Sequence, residues 1–194
     1  MSFEIVGLGK LLRVMYADKA GRISILRGDI RDAIRRESAS STKGGGDFYG
    51  PFWADAKRHV AGEVDLRAET PQRILKNTRR ERLYEISRDG FLLWWEEKRR
   101  LRNEPFKIIE ASVKARYDAL GLGAVKIENI LAITVGDDGH RIIYPYFCED
   151  PSLTDEAARL GLWVMSQCIV GYAAKDMRIW TLFRGDPTRI LIRH

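Results

Sequence analysis

The chain has 194 residues, 45% of them hydrophobic, 10% aromatic and 31% charged, which admits one domain with a real core and excludes wholesale disorder, a collagen-like chain or a disulfide-stapled miniprotein. Its 33 Lys and Arg outnumber 27 Asp and Glu for a formal charge of +6. The excess lies in residues 1–120, with 25 basic and 18 acidic groups, whereas 121–194 hold 8 and 9 and are nearly neutral.

In chain order, residues 3–37 alternate short apolar runs with a charged stretch, Arg27 to Glu37, of a length that fits a short helix. The run Ser38-Ala39-Ser40-Ser41-Thr42-Lys43-Gly44-Gly45-Gly46 has the composition of a linker or loop. The reading therefore divides the chain into an N-terminal segment, 1–46, and one α+β domain, 47–194. The order of Lys, Ser/Thr and Gly there is the reverse of a phosphate-binding P-loop. Gly50-Pro51-Phe52-Trp53 opens a predicted helix through Val60, with Pro51 suited to a first turn. Thr70-Pro71 opens the next, and Thr78-Arg79-Arg80-Glu81 has the spacing of a capping box that restarts the chain towards Gly90. Asp89 then caps a helix over 91–101 that is apolar at its start and charged at its end. After Pro105 the spacing Ile109, Val113, Tyr117, Leu120 reads as a helix that Gly121 stops. Helices are thus expected through 51–120.

The period then changes to two. Val125, Ile127, Leu131, Ile133 and Val135 alternate, Gly136-Asp137-Asp138-Gly139 turns the chain, and Ile142 to Cys148 returns as a second strand. Pro145 argues for an edge position or a bulge within that strand. A helix from Thr154 to about Val170 is apolar on most faces, so Leu160, Trp163 and Val164 are expected against a sheet. Strands over 177–183 and 188–192 follow. The fold class is α+β: a helical, basic first half and a ββαββ core over 125–194.

Chemistry-bearing patterns are sparse. Cys148 and Cys168 read as reduced core thiols, and no CxxC, HxxxH or HExxH spacing exists, so no zinc site of the usual kind is expected. The three histidines, His59, His140 and His194, stand apart from one another and from any nucleophile elbow. No secretory leader or apolar run of ~20 residues is present, which places the expected chain in the cytoplasm without a membrane partner. The strongest signal is basic. Between Arg67 and Arg102 there are 11 cations and 6 acids, with Arg79, Arg80 and Arg82 in one group and Lys98, Arg99, Arg100 and Arg102 in another, interleaved with Tyr84, Trp94 and Trp95. Of the 33 cations 23 are Arg, whose planar fork suits phosphates and carboxylates. Two such helices side by side would neutralise several phosphates. An acidic protein surface and an ordinary solvated face are the alternatives.

A helical segment, a hairpin, a crossover helix and further strands over residues 80–194 resemble the PD-(D/E)XK nuclease-like fold, its RecB-type branch above all. The resemblance implies a divalent metal held by an Asp near one hairpin strand and a Glu-x-Lys on the next. Here the second strand reads Tyr144-Pro145-Tyr146-Phe147-Cys148-Glu149-Asp150, with no Lys two places after an acid. Glu128, Asp137, Asp138, Glu149 and Asp150 are the carboxylates left to meet around a metal. The expected function is therefore sequence-nonspecific nucleic-acid binding on a nuclease-like core without catalysis and without a cofactor. The alternatives are a non-enzymatic, complex-forming subunit, with self-association open to it, and a Mg²⁺-dependent nuclease with rearranged ligands.

Overall fold

A computed structural model of the chain describes residues 3–38, 48–98, 105–119, 121, 123–136, 139–182 and 190–193. Its elements are β1 (Phe3–Gly7), α1 (Leu8–Tyr16), α2 (Lys19–Ser38), α3 (Gly50–Val60), α4 (Leu66–Lys76), α5 (Glu81–Leu92), β2 (Phe106–Ile108), β3 (Ala115–Asp118), β4 (Gly123–Ile127), β5 (Leu131–Val135), β6 (Gly139–Tyr146), α6 (Asp155–Cys168), β7 (Met177–Leu182) and β8 (Ile190–Arg193). The α+β class and the ββαββ order, here β5-β6-α6-β7-β8, are as read from the sequence. Among the described residues no helix is long and apolar enough to cross a membrane.

The strands form two sheets. One has the order β1-β4-β3 and the other β2-β5-β6-β7-β8. In the larger sheet β6 and β7 run parallel, joined through α6, and the remaining neighbours are antiparallel. Alternation along each strand sorts side chains to opposite faces. Ala132, Ile142, Tyr144, Tyr146, Met177 and Ile179 join a core with α1, α6 and β4. Leu131, Ile133, Ile143 and Trp180 join a second, aromatic core with α3, α4 and α5. The sheet is therefore covered on both faces. β1 pairs in parallel with β4, and Leu8 and Leu12 of α1 lie in the first core. Residues 3–16 thus belong to the same sheet system as residues beyond the expected linker 38–46, of which positions 39–46 lie outside the described residues.

Four local expectations are corrected. The helix expected over 109–120 is absent among the described residues of this stretch: β2 ends just before it, 109–114 are irregular, β3 takes Ala115–Asp118, and Gly121, at φ +77°, stands in the turn that joins β3 to β4. Offsets of four and eight are even, so Ile109, Val113 and Tyr117 share a face in an extended chain as well as in a helix. The alternating run 125–135 is two strands in different sheets, because Asn129 adopts φ 64° between them and turns the chain. Helix α4 begins at Leu66 under an Asp65 cap, whose carboxylate accepts the Arg67 N–H at 2.9 Å, with Pro71 inside it. Likewise α5 runs through Asp89 and Gly90 without a break and continues as π-helix over Leu93–Lys98.

Helix α6 starts where Thr154 Oγ1 accepts the Ala157 N–H at 3.1 Å. It buries Ala157, Ala158, Gly161, Val164 and Met165. Small residues set its distance from the sheet: a Cβ at Gly161 would stand 2.7 Å from Ile179 Cδ1 and 3.1 Å from Leu12 Cδ1. Two residues on, the helix has turned by ~200°. Trp163 is accordingly 49% exposed, its ring edge-on to Tyr117 at 5.6 Å. Only Val164 of the three expected contacts is fully buried; Leu160 is half-buried.

Candidate functional site

The structure places the expected basic residues in three different environments. Arg79 is exposed in a 3₁₀ turn, Thr78–Arg80, whose start is capped by Asn77 Oδ1 at 3.2 Å from the Arg79 N–H. Arg80 is half-buried with its guanidinium carbon 5.3 Å from the Tyr84 ring centroid, and its Nε has no acceptor among the described residues. Arg82 holds Glu149 bidentately, at 3.2 and 3.1 Å. Lys98 ends the π-helical segment, and Arg99, Arg100 and Arg102 lie outside the described residues. Other cations of the stretch are taken by carboxylates: Arg67 by Glu96 at 2.7 and 2.6 Å, and Arg73 by the buried Asp55 at 2.7 and 2.8 Å. Those carboxylates hold both guanidinium groups still more firmly in the charged state.

The carboxylates singled out for metal binding are dispersed. Glu128 pairs with Lys126 at 3.1 Å, and Glu149 with Arg82. Asp150 is exposed, and Asp137 and Asp138 lie outside the described residues. Among the described residues no three His, Cys, Asp or Glu side chains are grouped to hold a metal.

What sequence reasoning missed is a cleft of 620 Å³ at the end of β6. Its origin is topological. The pairing of β5 with β6 ends at Leu131 and Ile143, while β6 runs on beside β7 to Tyr146. The sheet therefore has a notch on the β5 side of residues 144–146. Pro145 stands in it, which is why a residue without an N–H is tolerated in the middle strand of a five-stranded sheet. Helices α1, α2 and α3 close the notch into a cleft lined by Lys10, Arg13, Asp29, Tyr49, Glu128, Asn129, Tyr144, Tyr146, Phe147 and Cys148, among others. Helix α1 is held there because the Gly9 N–H donates to Tyr144 Oη at 2.8 Å, and a Cβ at position 9 would come within 3.1 Å of that oxygen. Trp53 Nε1 donates to the Asn129 carbonyl, fixing the floor between β4 and β5. The only sequence signal was Pro145 itself.

The cleft is largely charge-paired. Lys10 Nζ lies 2.5 Å from Asp29 Oδ1, and Asp32 is 3.4 Å from Arg35. Arg13 has no carboxylate partner among the described residues; its Nε donates to the Asp150 carbonyl at 3.3 Å. Rings make up one wall. Tyr49 stacks on Phe147 with centroids 4.6 Å apart and planes 4° from parallel, and Phe147 rests on Trp53 and Trp180. Beside this wall, Glu149 ties the Arg79–Arg82 segment to the end of β6 through Arg82.

Burial, reinforced by Cys148 and opposed by Arg13, pushes the Tyr146 phenol well above its ordinary value; Tyr84 is raised chiefly by burial too. Each hydroxyl donates to a carbonyl, Tyr146 to Pro151 at 2.9 Å and Tyr84 to Phe48 at 2.6 Å. A folded value above the unfolded one means that the stabilisation is complete below about pH 10, where an unfolded tyrosine ionises, and is lost as pH rises through the folded value. Denaturant midpoints should therefore fall above about pH 10, and less steeply for Tyr84→Phe/Tyr146→Phe. A double variant with the wild-type alkaline slope would contradict this assignment.

No protein family, no curated protein and no solved structure matches the chain.

Proposed function

We propose that the chain is a non-catalytic, largely sequence-nonspecific nucleic-acid-binding protein built on a nuclease-like core. The observation that carries this reading is the Arg82–Glu149 pair. It joins residues 67 apart in sequence and sets the Arg79–Arg82 segment beside the ring-walled cleft. Cations that track a phosphate chain next to aromatic faces form the arrangement that binds nucleic acid with little regard for sequence. The cleft's chemistry speaks against cleavage. On β6 the residues that line it are Tyr144, Pro145 and Tyr146, where the nuclease-like resemblance calls for an acid and a lysine, and Glu128 and Glu149 are engaged by cations.

Charge reversal tests the reading. Arg79→Glu/Arg80→Glu/Arg99→Glu/Arg100→Glu should weaken binding of a mixed-sequence oligonucleotide by ~100-fold or more at low salt, since each lost phosphate contact removes a counterion-release step. The circular dichroism spectrum should be unchanged, and neither protein should cut the strand with Mg²⁺ or Mn²⁺. Full binding by the reversed variant would refute the proposal.

A second reading, a complex-forming subunit with an acidic partner, is favoured by helix α2. Ile23, Ile30 and Ile34 are 42%, 43% and 57% exposed along it, beside the exposed Arg27 and Arg31. Ile30→Asp/Ile34→Asp leaves oligonucleotide binding intact under the first reading and breaks complex formation under the second.

A further inference from the structure

We infer that the outer edge of β3 is where two copies of this chain pair, the strands running antiparallel across a two-fold axis at Tyr117 so that Arg116 of each lies opposite Asp118 of the other. The pairing needs no nucleic acid and uses none of the cleft. Strand β3 ends the order β1-β4-β3, so one of its edges has no neighbouring strand among the described residues. Which backbone groups face that edge follows from the hairpin. The Ala119 N–H donates to the Gly123 carbonyl at 2.9 Å, and in the antiparallel register Asp118 lies opposite Ala124. Hydrogen-bonded and non-hydrogen-bonded pairs alternate along such a ladder, so Ala115, Tyr117 and Ala119 bond to β4, and the N–H and C=O groups of Arg116 and Asp118 point away from it. Those groups have no partner among the described residues.

The side chains at the same two positions select the occupant. Both are exposed. On the solvent face Arg116 stands directly opposite Lys126, a like-charge pair that weakens a ladder, and Glu128 is taken by Lys126 at 3.1 Å. Arg116 itself has no carboxylate partner among the described residues. Asp118 accepts the Gly121 N–H on Oδ1 at 3.2 Å, which leaves Oδ2 for a cation. Outward-facing backbone groups must meet outward-facing groups across the axis, so the axis falls at Arg116, Tyr117 or Asp118. The first sets Arg on Arg and the last sets Asp on Asp. An axis at Tyr117 sets Arg116 against Asp118 on both sides, each pair exchanging two backbone hydrogen bonds. Charges on an edge strand ordinarily keep other strands away. The run Arg116-Tyr117-Asp118 is its own complement when reversed, so here the charges admit a second copy, and the two-fold contact closes after two. Apolar surface flanks it on the other face of the strand, where Trp163, 49% exposed, meets Tyr117 edge-on at 5.6 Å. A four-residue strand with such a flank makes a small interface and a weak dimer.

Sedimentation of the full chain without nucleic acid, from about 5 µM to about 500 µM, tests the pairing in the range of weak complexes. The mass should rise from one chain towards two. Arg116→Asp and Asp118→Arg should each weaken association by about tenfold or more, because each sets like charges opposite one another on both sides of the axis. An equimolar mixture of the two variants should recover it, since every pair across the axis is then Asp with Arg. Hydrogen exchange of the unaltered chain gives a readout that needs no variant to fold: the Arg116 and Asp118 amides should gain several-fold protection as the concentration rises. A chain that stays single at about 500 µM overturns the pairing. So does a dimer that Arg116→Asp leaves intact, or one in which the Arg116 and Asp118 amides exchange as fast as in dilute solution.

Discussion

Arg73→Met is expected to cost about 3–5 kcal/mol of stability, because it strands a buried carboxylate. The Asp55 side chain is 2% exposed, and both of its oxygens accept from the Arg73 fork, at 2.7 and 2.8 Å. The second cation near it, Arg58, stands 3.8 Å from Oδ1 on a side chain 47% exposed and cannot replace a bidentate partner. The pair bolts α3 to α4, the helices that roof the aromatic core. Asp55→Ala should cost less, since the Arg73 side chain it leaves is 29% exposed and can turn to water. A double-mutant cycle with Asp55→Ala/Arg73→Met should then show a coupling of more than ~1 kcal/mol. An Arg73→Met variant within ~0.5 kcal/mol of wild type would place the pair among the surface contacts that contribute little.

Trp180→Ala should be of similar size, about 3–5 kcal/mol, against total domain stabilities of ~5–15. Trp180 is 0% exposed in the middle of β7's pairing with β6 and β8. Its ring meets Trp53, Phe91 and Phe147 with centroids 5.7, 5.9 and 5.7 Å away. The loss would also reach the cleft, because Phe147 rests on this indole and Tyr49 rests on Phe147. Trp163→Ala is the control: with half its surface already in water it should cost well under half as much in the same denaturant titration. Equal costs for the two tryptophans would contradict the packing described above.

How far the sequence could be read depended on whether the deciding contact was local. The starts of α3 and α6 were legible because Pro51 and Thr154 act within their own first turn, and the hairpin of β5 and β6 because its turn and its alternation are adjacent. The helix expected over 109–120 failed because residues at even offsets share a face in either conformation, and only pairing with β4 and β5 selects the strands. The break at Asn129 was hidden for a related reason: a residue other than glycine at φ 64° is held there by a contact from Trp53, 76 positions away. For the site, the basic cluster was visible as composition. Its pairing was not, since the sequence cannot tell that Arg82 meets Glu149 or that Arg73 meets Asp55. The cleft was the least legible feature, because it exists only where one strand outlasts its neighbour.

The salt dependence of strand binding tests the central claim most directly. If Arg79, Arg80 and the neighbouring cations neutralise three or more phosphates, a log–log plot of the affinity for a mixed-sequence single strand against salt concentration should have a slope of about −2 or steeper, at roughly 0.7 per phosphate. The charge-reversed protein, with Glu at 79, 80, 99 and 100, should lose that slope along with its affinity. Binding that is flat with salt, or absent at low salt in a protein that melts cooperatively, would contradict the claim and move the function to the exposed isoleucines of α2.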